Sequence, residues 1–260
     1  MIMKNIIIKL LKLLNLYSVA KTGKRLIYSL IIRYRNICHH KEALHFYSQF
    51  IKKGDLCFDV GTNIGNRAEL FLELGAKIVC IEPQQVCLQH IYKLFEGNKD
   101  VIIVPKALAD IEGYAELAIC EEATPLSTMS DKWKNEGRFS KDYKWATTQE
   151  VPTTTLDALI LQYGLPVFCK IDVEGFEETV LKGLTKSISV ISFEFTREFF
   201  PDVHQCINHI LSIGPVEFNC SIGETMKLLF PNWLTPNELC LKLDSLNDKY
   251  LWGDIYARFI

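Results

Sequence analysis

The 260-residue sequence contains no apolar run near the ~18 residues a membrane-spanning helix requires, so no segment is expected to cross a bilayer. It has no C-x-x-C pair. Its nine cysteines (38, 57, 80, 87, 120, 169, 206, 220 and 240) are odd in number and scattered through apolar stretches. That pattern suits reduced thiols in a cytosolic protein and argues against a disulfide framework or a clustered zinc site. Among the six histidines, His39 and His40 adjoin, and His204 and His209 lie five apart, off the i,i+4 spacing that places two ligands on one helix face. No metal is expected. Internal repeats and low-complexity tracts are also absent, which sets aside repeat architectures and disorder.

Acidic residues are missing from positions 1 to 41, which hold nine Lys or Arg. The remainder carries twenty bases against thirty-one acids, a charge of -11 beneath a net -2. On a helical wheel Lys4, Asn5, Lys9, Lys12 and Asn15 share one arc, and Ile6, Ile7, Leu10, Leu13 and Leu14 the opposite one. Such a helix packs on its own core or a partner, or lies peripherally on an anionic membrane surface. Lysines interrupt its apolar stretch and no small-residue cleavage site follows, so a cleaved signal peptide is not expected.

What is present suits a folded enzyme. Aliphatic and aromatic residues make up 48% and charged residues 23%, enough for one large α/β domain with an appendage. Residues 1–50 read as a basic helical extension and 51–260 as the catalytic domain. Strands are expected at Leu56–Val60, Lys77–Ile81, Val101–Val104, Tyr114–Ile119, Val167–Ile171, Val190–Phe195, Val216–Cys220 and Asp254–Phe259. Helices are expected near Ala68–Leu74, Gln84–Phe95 and Glu177–Lys182. This alternation implies a parallel sheet with right-handed crossovers. Residues 121–150, polar with Trp133, Phe139, Tyr143 and Trp145, interrupt it and read as a lid over a substrate rather than a poorly ordered insertion.

Three motifs carry chemistry. In Phe58-Asp59-Val60-Gly61-Thr62-Asn63-Ile64-Gly65 an apolar strand turns through small residues into a helix, at the sheet edge where open α/β folds bind ligands. Gly61 allows the backbone close to a ligand, and Asp59 suits the amino group of a methionine moiety. The spacing is G-x-x-x-G, unlike the dinucleotide fingerprint G-x-G-x-x-G. Next, Ile81-Glu82-Pro83 ends a strand about twenty residues after Gly61, where an acid accepts hydrogen bonds from ribose hydroxyls. Finally, Lys170-Ile171-Asp172-Val173-Glu174-Gly175-Phe176-Glu177 crowds charge onto the end of a buried strand. Buried charge is costly unless paired or used, so Lys170 can pair with one carboxylate while Asp172 or Glu174 acts as general base or caps the next helix.

Together these segments resemble the FkbM family of methyltransferases over roughly residues 54 to 259. The resemblance includes Ala107-Leu108-Ala109-Asp110 beside the adenine and the threonine-leucine-aspartate element Val151 to Asp157. It implies an α/β Rossmann-like fold with a seven-stranded, mostly parallel sheet and one antiparallel strand, for which Asp254 to Phe259 is the candidate. The implied cofactor is S-adenosylmethionine, held by Asp59, Gly61, Thr62, Asn63, Gly65, Glu82, Pro83 and Ala107, and the implied acceptors are hydroxyls of sugars, glycolipids and other metabolites. Asn66-Arg67 departs from the family pattern. A nicotinamide-dependent oxidoreductase and a non-catalytic binding subunit are the rival readings. Nucleic acid is disfavoured as a partner, because the body is acidic and lacks a motif for a flipped base.

Overall fold

The computed structural model describes residues 39–260. The basic arc expected over residues 1–16, and most of the possible membrane contact over 1–41, lies outside the described residues. Phe46–Ile260 form one compact unit. Residues 39–45 belong to a separate N-terminal unit and are helical.

Ten strands follow along the chain: β1 (Leu56–Val60), β2 (Lys77–Ile81), β3 (Val101–Val104), β4 (Ala107–Leu108), β5 (Gly113–Ile119), β6 (Thr147–Thr154), β7 (Phe168–Ile171), β8 (Val190–Thr196), β9 (Val216–Ile222) and β10 (Trp252–Phe259). The helices are α1 (Asn66–Glu73), α2 (Gln85–Leu94), α3 (Asp131–Glu136), α4 (Leu156–Tyr163), α5 (Glu177–Lys182), α6 (Phe200–Ile213) and α7 (Pro236–Ser245). Seven strands form one sheet in the order β3-β2-β1-β7-β8-β10-β9. All neighbours are parallel except β10, which runs antiparallel to both β8 and β9. The expected fold class and its single reversed strand are both present.

Near-continuous apolar runs make the central strands, because both faces of the sheet are covered. On one face Phe58, Val79, Ile171, Ile191, Phe193 and Ile255 join the main core with Val180 and Leu181 of α5 and Ile207 and Ile210 of α6. On the other, Phe50 stacks on Phe168 and Tyr256, and Tyr47 meets Phe71 and Phe168 edge-on. Ring pairs of this kind contribute about 0.5–1.5 kcal/mol each beyond area burial.

The second sheet, in the order β4-β6-β5, was not foreseen. The strand expected over Tyr114–Ile119 exists, but it pairs with β6 and not with the main sheet. β6 is rich in threonine and carries Pro152, and β4 is two residues long, so neither presents an apolar run. The excursion between β5 and β6 contains a 3-10 turn at Thr124–Leu126 and the helix α3. Ser130 caps α3 through the Trp133 amide.

Going outward from β1 the chain builds β2 and β3 on one side, then returns to build β7 and β8 on the other. The carboxyl ends of β1 and β7 therefore flank the topological switch point, where folds of this kind open a crevice for ligands.

Candidate active site

The turn after β1 is set by backbone geometry. Gly61 and Gly65 adopt positive φ, 79° and 92°, and so does the non-glycine Asn63 at 50°. A Cβ on Gly61 would sit 1.9 Å from the Asp172 carbonyl oxygen. The requirement for glycine thus comes from the loop after β7 pressing against the turn, a different close approach from the one expected. The Thr62 hydroxyl donates to the Asp59 carbonyl at 2.7 Å, and a Cβ on Gly65 would meet Leu94 and Phe95 of the neighbouring α2. These two residues build the turn.

Glu82 ends β2 as a buried carboxylate. One oxygen accepts the Asn63 amide at 2.8 Å and the other the Gln84 amide at 2.7 Å, so each keeps a lone pair for a further donor. Burial pushes the Glu82 carboxyl up to about 7, against the opposing pull of those two amides. Asp59 is also buried, and burial raises it to about 6 despite the nearby Lys170 and Arg67 charges. Its Oδ2 has no hydrogen-bond partner among the described residues, an orphaned acceptor of the kind that a ligand ammonium satisfies.

A cleft of about 60 Å³ lies over this turn, lined by Gly61, Asn63, Glu82, Pro83, Ala107 and Leu108 on one side and by Asp172, Val173 and Glu174 on the other. Pro125, Ser127, Thr128 and Met129 of the excursion complete its wall. Of the residues singled out from the sequence, these loops bring Gly61, Asn63, Glu82, Pro83, Ala107, Asp172 and Glu174 together. Asp59, Thr62, Gly65 and Lys170 stand behind the lining. The donor set fits S-adenosylmethionine: a carboxylate with spare lone pairs for a ribose, an orphaned carboxylate oxygen for an ammonium, and apolar walls for a base. The volume is below the ~300 Å³ at which small-molecule pockets begin.

Behind the loop after β7 the charges are paired in a chain. Lys170, 2% exposed, donates from Nζ to Asp172 at 3.0 Å and to Asp254 of β10 at 2.9 Å. Burial favours the neutral amine, but these two carboxylates prevail and hold the ammonium charged well above its usual range. A Glu177 carboxylate oxygen accepts the Val173 and Gly175 amides at 3.1 and 3.3 Å and so shapes the loop. Glu174 takes a positive φ of 53°, a conformation that costs a non-glycine residue of order 1 kcal/mol and persists where the surroundings enforce it. Asp172, Glu174 and Glu194 bring their carboxylates within 4.8 Å of one another, and protons or a cation must offset their repulsion.

A second cavity of about 320 Å³ adjoins this cluster. Trp133 and Phe199 supply aromatic wall, Ser130 and Thr196 hydroxyls, and Glu194 a carboxylate. The Trp133 side chain packs on Gly175, whose absent Cβ would meet it at 3.2 Å, and its buried indole N–H has no partner among the described residues. Three contacts anchor the excursion here. The Thr128 hydroxyl donates to the Glu174 carbonyl at 2.7 Å, Lys132 pairs with Asp202 at 2.7 Å, and Arg138 makes a two-point contact with Glu198.

Sequence reasoning missed Glu194 and Asp254. Each is a lone acid inside an otherwise buried strand, in Val190-Ile191-Ser192-Phe193-Glu194-Phe195 and Gly253-Asp254-Ile255-Tyr256. That cost was the available signal. The threonine-leucine-aspartate element has a structural part: Thr155 caps α4, Leu156 is fully buried, and Asp157 accepts the Thr185 amide at 2.9 Å.

No curated protein matches the chain. Among solved structures, precorrin-6y C5,15-methyltransferase from Geobacter metallireducens is similar at 12% identity, with 85% of this chain and 87% of that one covered and a TM-score of 0.44. A TehB-like SAM-dependent methyltransferase from Corynebacterium glutamicum is 8% identical over 89% and 97% of the two chains, at a TM-score of 0.42. Fibrillarin from Aeropyrum pernix, in complex with S-adenosyl-L-methionine, is 9% identical over 80% and 68%, at 0.39. The sequence model of the methyltransferase FkbM domain matches residues 59–214. That match spans more than half of the chain, from the turn after β1 to the end of α6, so the chain belongs to the FkbM methyltransferase family and is an S-adenosylmethionine-dependent enzyme.

Proposed function

We propose that this methyltransferase acts on a hydroxyl of a sugar, glycolipid or similar metabolite. The observation that carries the reading is the second cavity, which meets the donor cleft across the cluster of Asp172, Glu174 and Glu194. Its volume of about 320 Å³ lies at the small end of ligand pockets, about 300–1,000 Å³, and suits one ring better than a polymer. Aromatic wall accepts the apolar face of such a ring, and the hydroxyls and carboxylates around it accept its polar edge.

Bound S-adenosylmethionine supplies an activated methyl group on a sulfonium. The chain's own residues align the ligands and accept a proton. Glu82 receives the ribose hydroxyls, and the Asp59 oxygen without a partner receives the methionine ammonium. Gly61, Asn63, Pro83 and Ala107 shape the donor's path, and Thr62 and Gly65 hold the turn in place. Lys170 fixes Asp172 at the partition between the chambers, and the proton acceptor is one of the carboxylates there. Residues 121–146 act as a lid over both ligands. The basic segment before Phe46 serves as an accessory arm for a partner or a membrane surface, outside the compact unit Phe46–Ile260.

The test is calorimetric titration with S-adenosylmethionine and S-adenosylhomocysteine, followed by a radiolabelled-methyl screen on methyl glycosides. Micromolar binding of both sulfur ligands is expected, with label passing to a glycoside hydroxyl. Glu82→Gln should weaken donor binding by about tenfold or more, since charged hydrogen bonds contribute about 1.5–3 kcal/mol each. Label that passes only to an amine or thiol acceptor would sink the hydroxyl reading.

A further inference from the structure

The three clustered carboxylates divide between the two chambers. Asp172 and Glu174 line the donor cleft, whereas Glu194 lines the second cavity. Glu194 stands in β8 opposite Asp254 of β10, and its carboxylate lies within 4.8 Å of both others. A group there reaches from one chamber to the other.

What holds each carboxylate also differs. Asp172 receives the buried Lys170 ammonium at 3.0 Å, so one of its oxygens is already engaged. The Glu174 carboxylate, like that of Glu194, has no hydrogen bond or ion pair among the described residues and is also pushed up by burial and by neighbouring acids, but it lines the donor cleft and not the second cavity. The Glu194 side chain makes no hydrogen bond or ion pair among the described residues, where Arg138 is taken by Glu198, Lys132 by Asp202, and Lys170 by Asp172 and Asp254. Burial, and then the neighbouring Asp172, Glu174 and Glu177 charges, push its carboxyl well above the usual range. A general base needs its affinity for protons moved in this direction, toward the working pH.

We propose that Glu194, and not Asp172 or Glu174, is the catalytic base, and that the 320 Å³ cavity is the acceptor's chamber. This deepens the hydroxyl-methylation reading and rests on it. The acceptor O–H bond breaks and its proton passes to a Glu194 carboxylate oxygen. The electron pair left on the acceptor oxygen forms the new O–C bond, while the C–S pair stays with sulfur.

Glu194→Gln keeps the shape, and Glu174→Gln serves as control. The first readout needs no acceptor: proton release on binding S-adenosylmethionine or S-adenosylhomocysteine, measured calorimetrically in two buffers of unlike ionisation heat. Only the methylated ligand carries the sulfonium charge. Proton release in excess of that seen with S-adenosylhomocysteine, a difference in which protons expelled from Glu82 and Asp59 cancel, is expected in the wild type and in Glu174→Gln and should vanish in Glu194→Gln. The same excess in Glu194→Gln, or none in the wild type, would overturn the proposal. The second readout is turnover on methyl glycosides, expected to fall by about 100-fold or more in Glu194→Gln with donor affinity intact. Unimpaired turnover overturns the assignment, and so does activity that EDTA removes and magnesium restores, because the cluster is then a cation site. Should the wild type methylate no glycoside, the acceptor class is wrong, and proton release still decides the role of Glu194.

Discussion

At the residue scale, the two acids proposed to serve the donor are both reluctant to ionise. Burial raises Glu82 to about 7 and Asp59 to about 6, while the ribose and ammonium contacts call for the charged forms. The ligand-free protein therefore holds protons at neutral pH that the donor must expel. Donor affinity is expected to climb as pH rises from about 5 through 7 and to level off above about 8, in calorimetric titrations at fixed ionic strength. Flat affinity over that range would remove both residues from the donor site. Stability carries the opposite sign. Acids whose folded pKa lies above the unfolded value bind more protons in the native state, so their contribution to stability falls as pH rises through 6 and 7.

The residues that line the cleft after β1 were legible because each breaks a local rule. Gly61 and Glu82 stand at the ends of apolar strands where a turn and a carboxylate need a reason. Glu194 and Asp254 break a rule as well, yet their neighbours across the sheet are distant in sequence: Glu194 faces Asp254 and Asp254 faces Ser221. Only the register places them beside Lys170.

Among the elements, the excursion from 121 to 146 contributes wall to both chambers. Its anchors to the rest of the fold are mixed: Lys132 to Asp202, Arg138 to Glu198 and the Thr128 hydroxyl to the Glu174 carbonyl are polar, while Trp133 is buried against Gly175 and Phe199. Partly exposed ion pairs are weak tethers, about 0–1 kcal/mol each. The segment should open well below the global unfolding energy and become fixed once the donor fills the cleft. Hydrogen exchange of amides 124–136 is expected to slow on adding S-adenosylhomocysteine, while exchange in β7 and β8 stays unchanged. Equal exchange with and without ligand would count against a lid.

Most of the main-sheet strands were readable from apolar runs bounded by glycine, proline or charge. The small sheet was not. β6, Thr-Thr-Gln-Glu-Val-Pro-Thr-Thr, gains its strand form by pairing with β5, a tertiary effect that leaves no local trace.

For the whole molecule, the face of the sheet opposite the main core is closed by aromatic residues that precede β1. Tyr47 is fully buried and its hydroxyl has no partner among the described residues, so that part of the fold carries the desolvation of the group without a hydrogen bond in return. Tyr47→Phe keeps the ring contacts and removes the penalty. It is expected to raise stability by about 1 kcal/mol, a rise of roughly 2–4 °C in the melting midpoint of a protein this size. A lower midpoint would mean that the hydroxyl finds a water partner in solution. The sequence placed residues up to 50 in an extension outside the catalytic domain, because their apolar positions read as amphipathic helix. Nothing local marks Tyr47 and Phe50 as partners of Phe168 and Tyr256.

Met129 belongs to the wall of both chambers. Widening that wall for a bulkier acceptor also loosens the grip on the donor, so breadth of substrate range and economy of cofactor pull against each other at one side chain. Variants selected for new acceptors should carry compensating changes on the far side of the donor cleft, near Pro83 and Ala107, before their range broadens further.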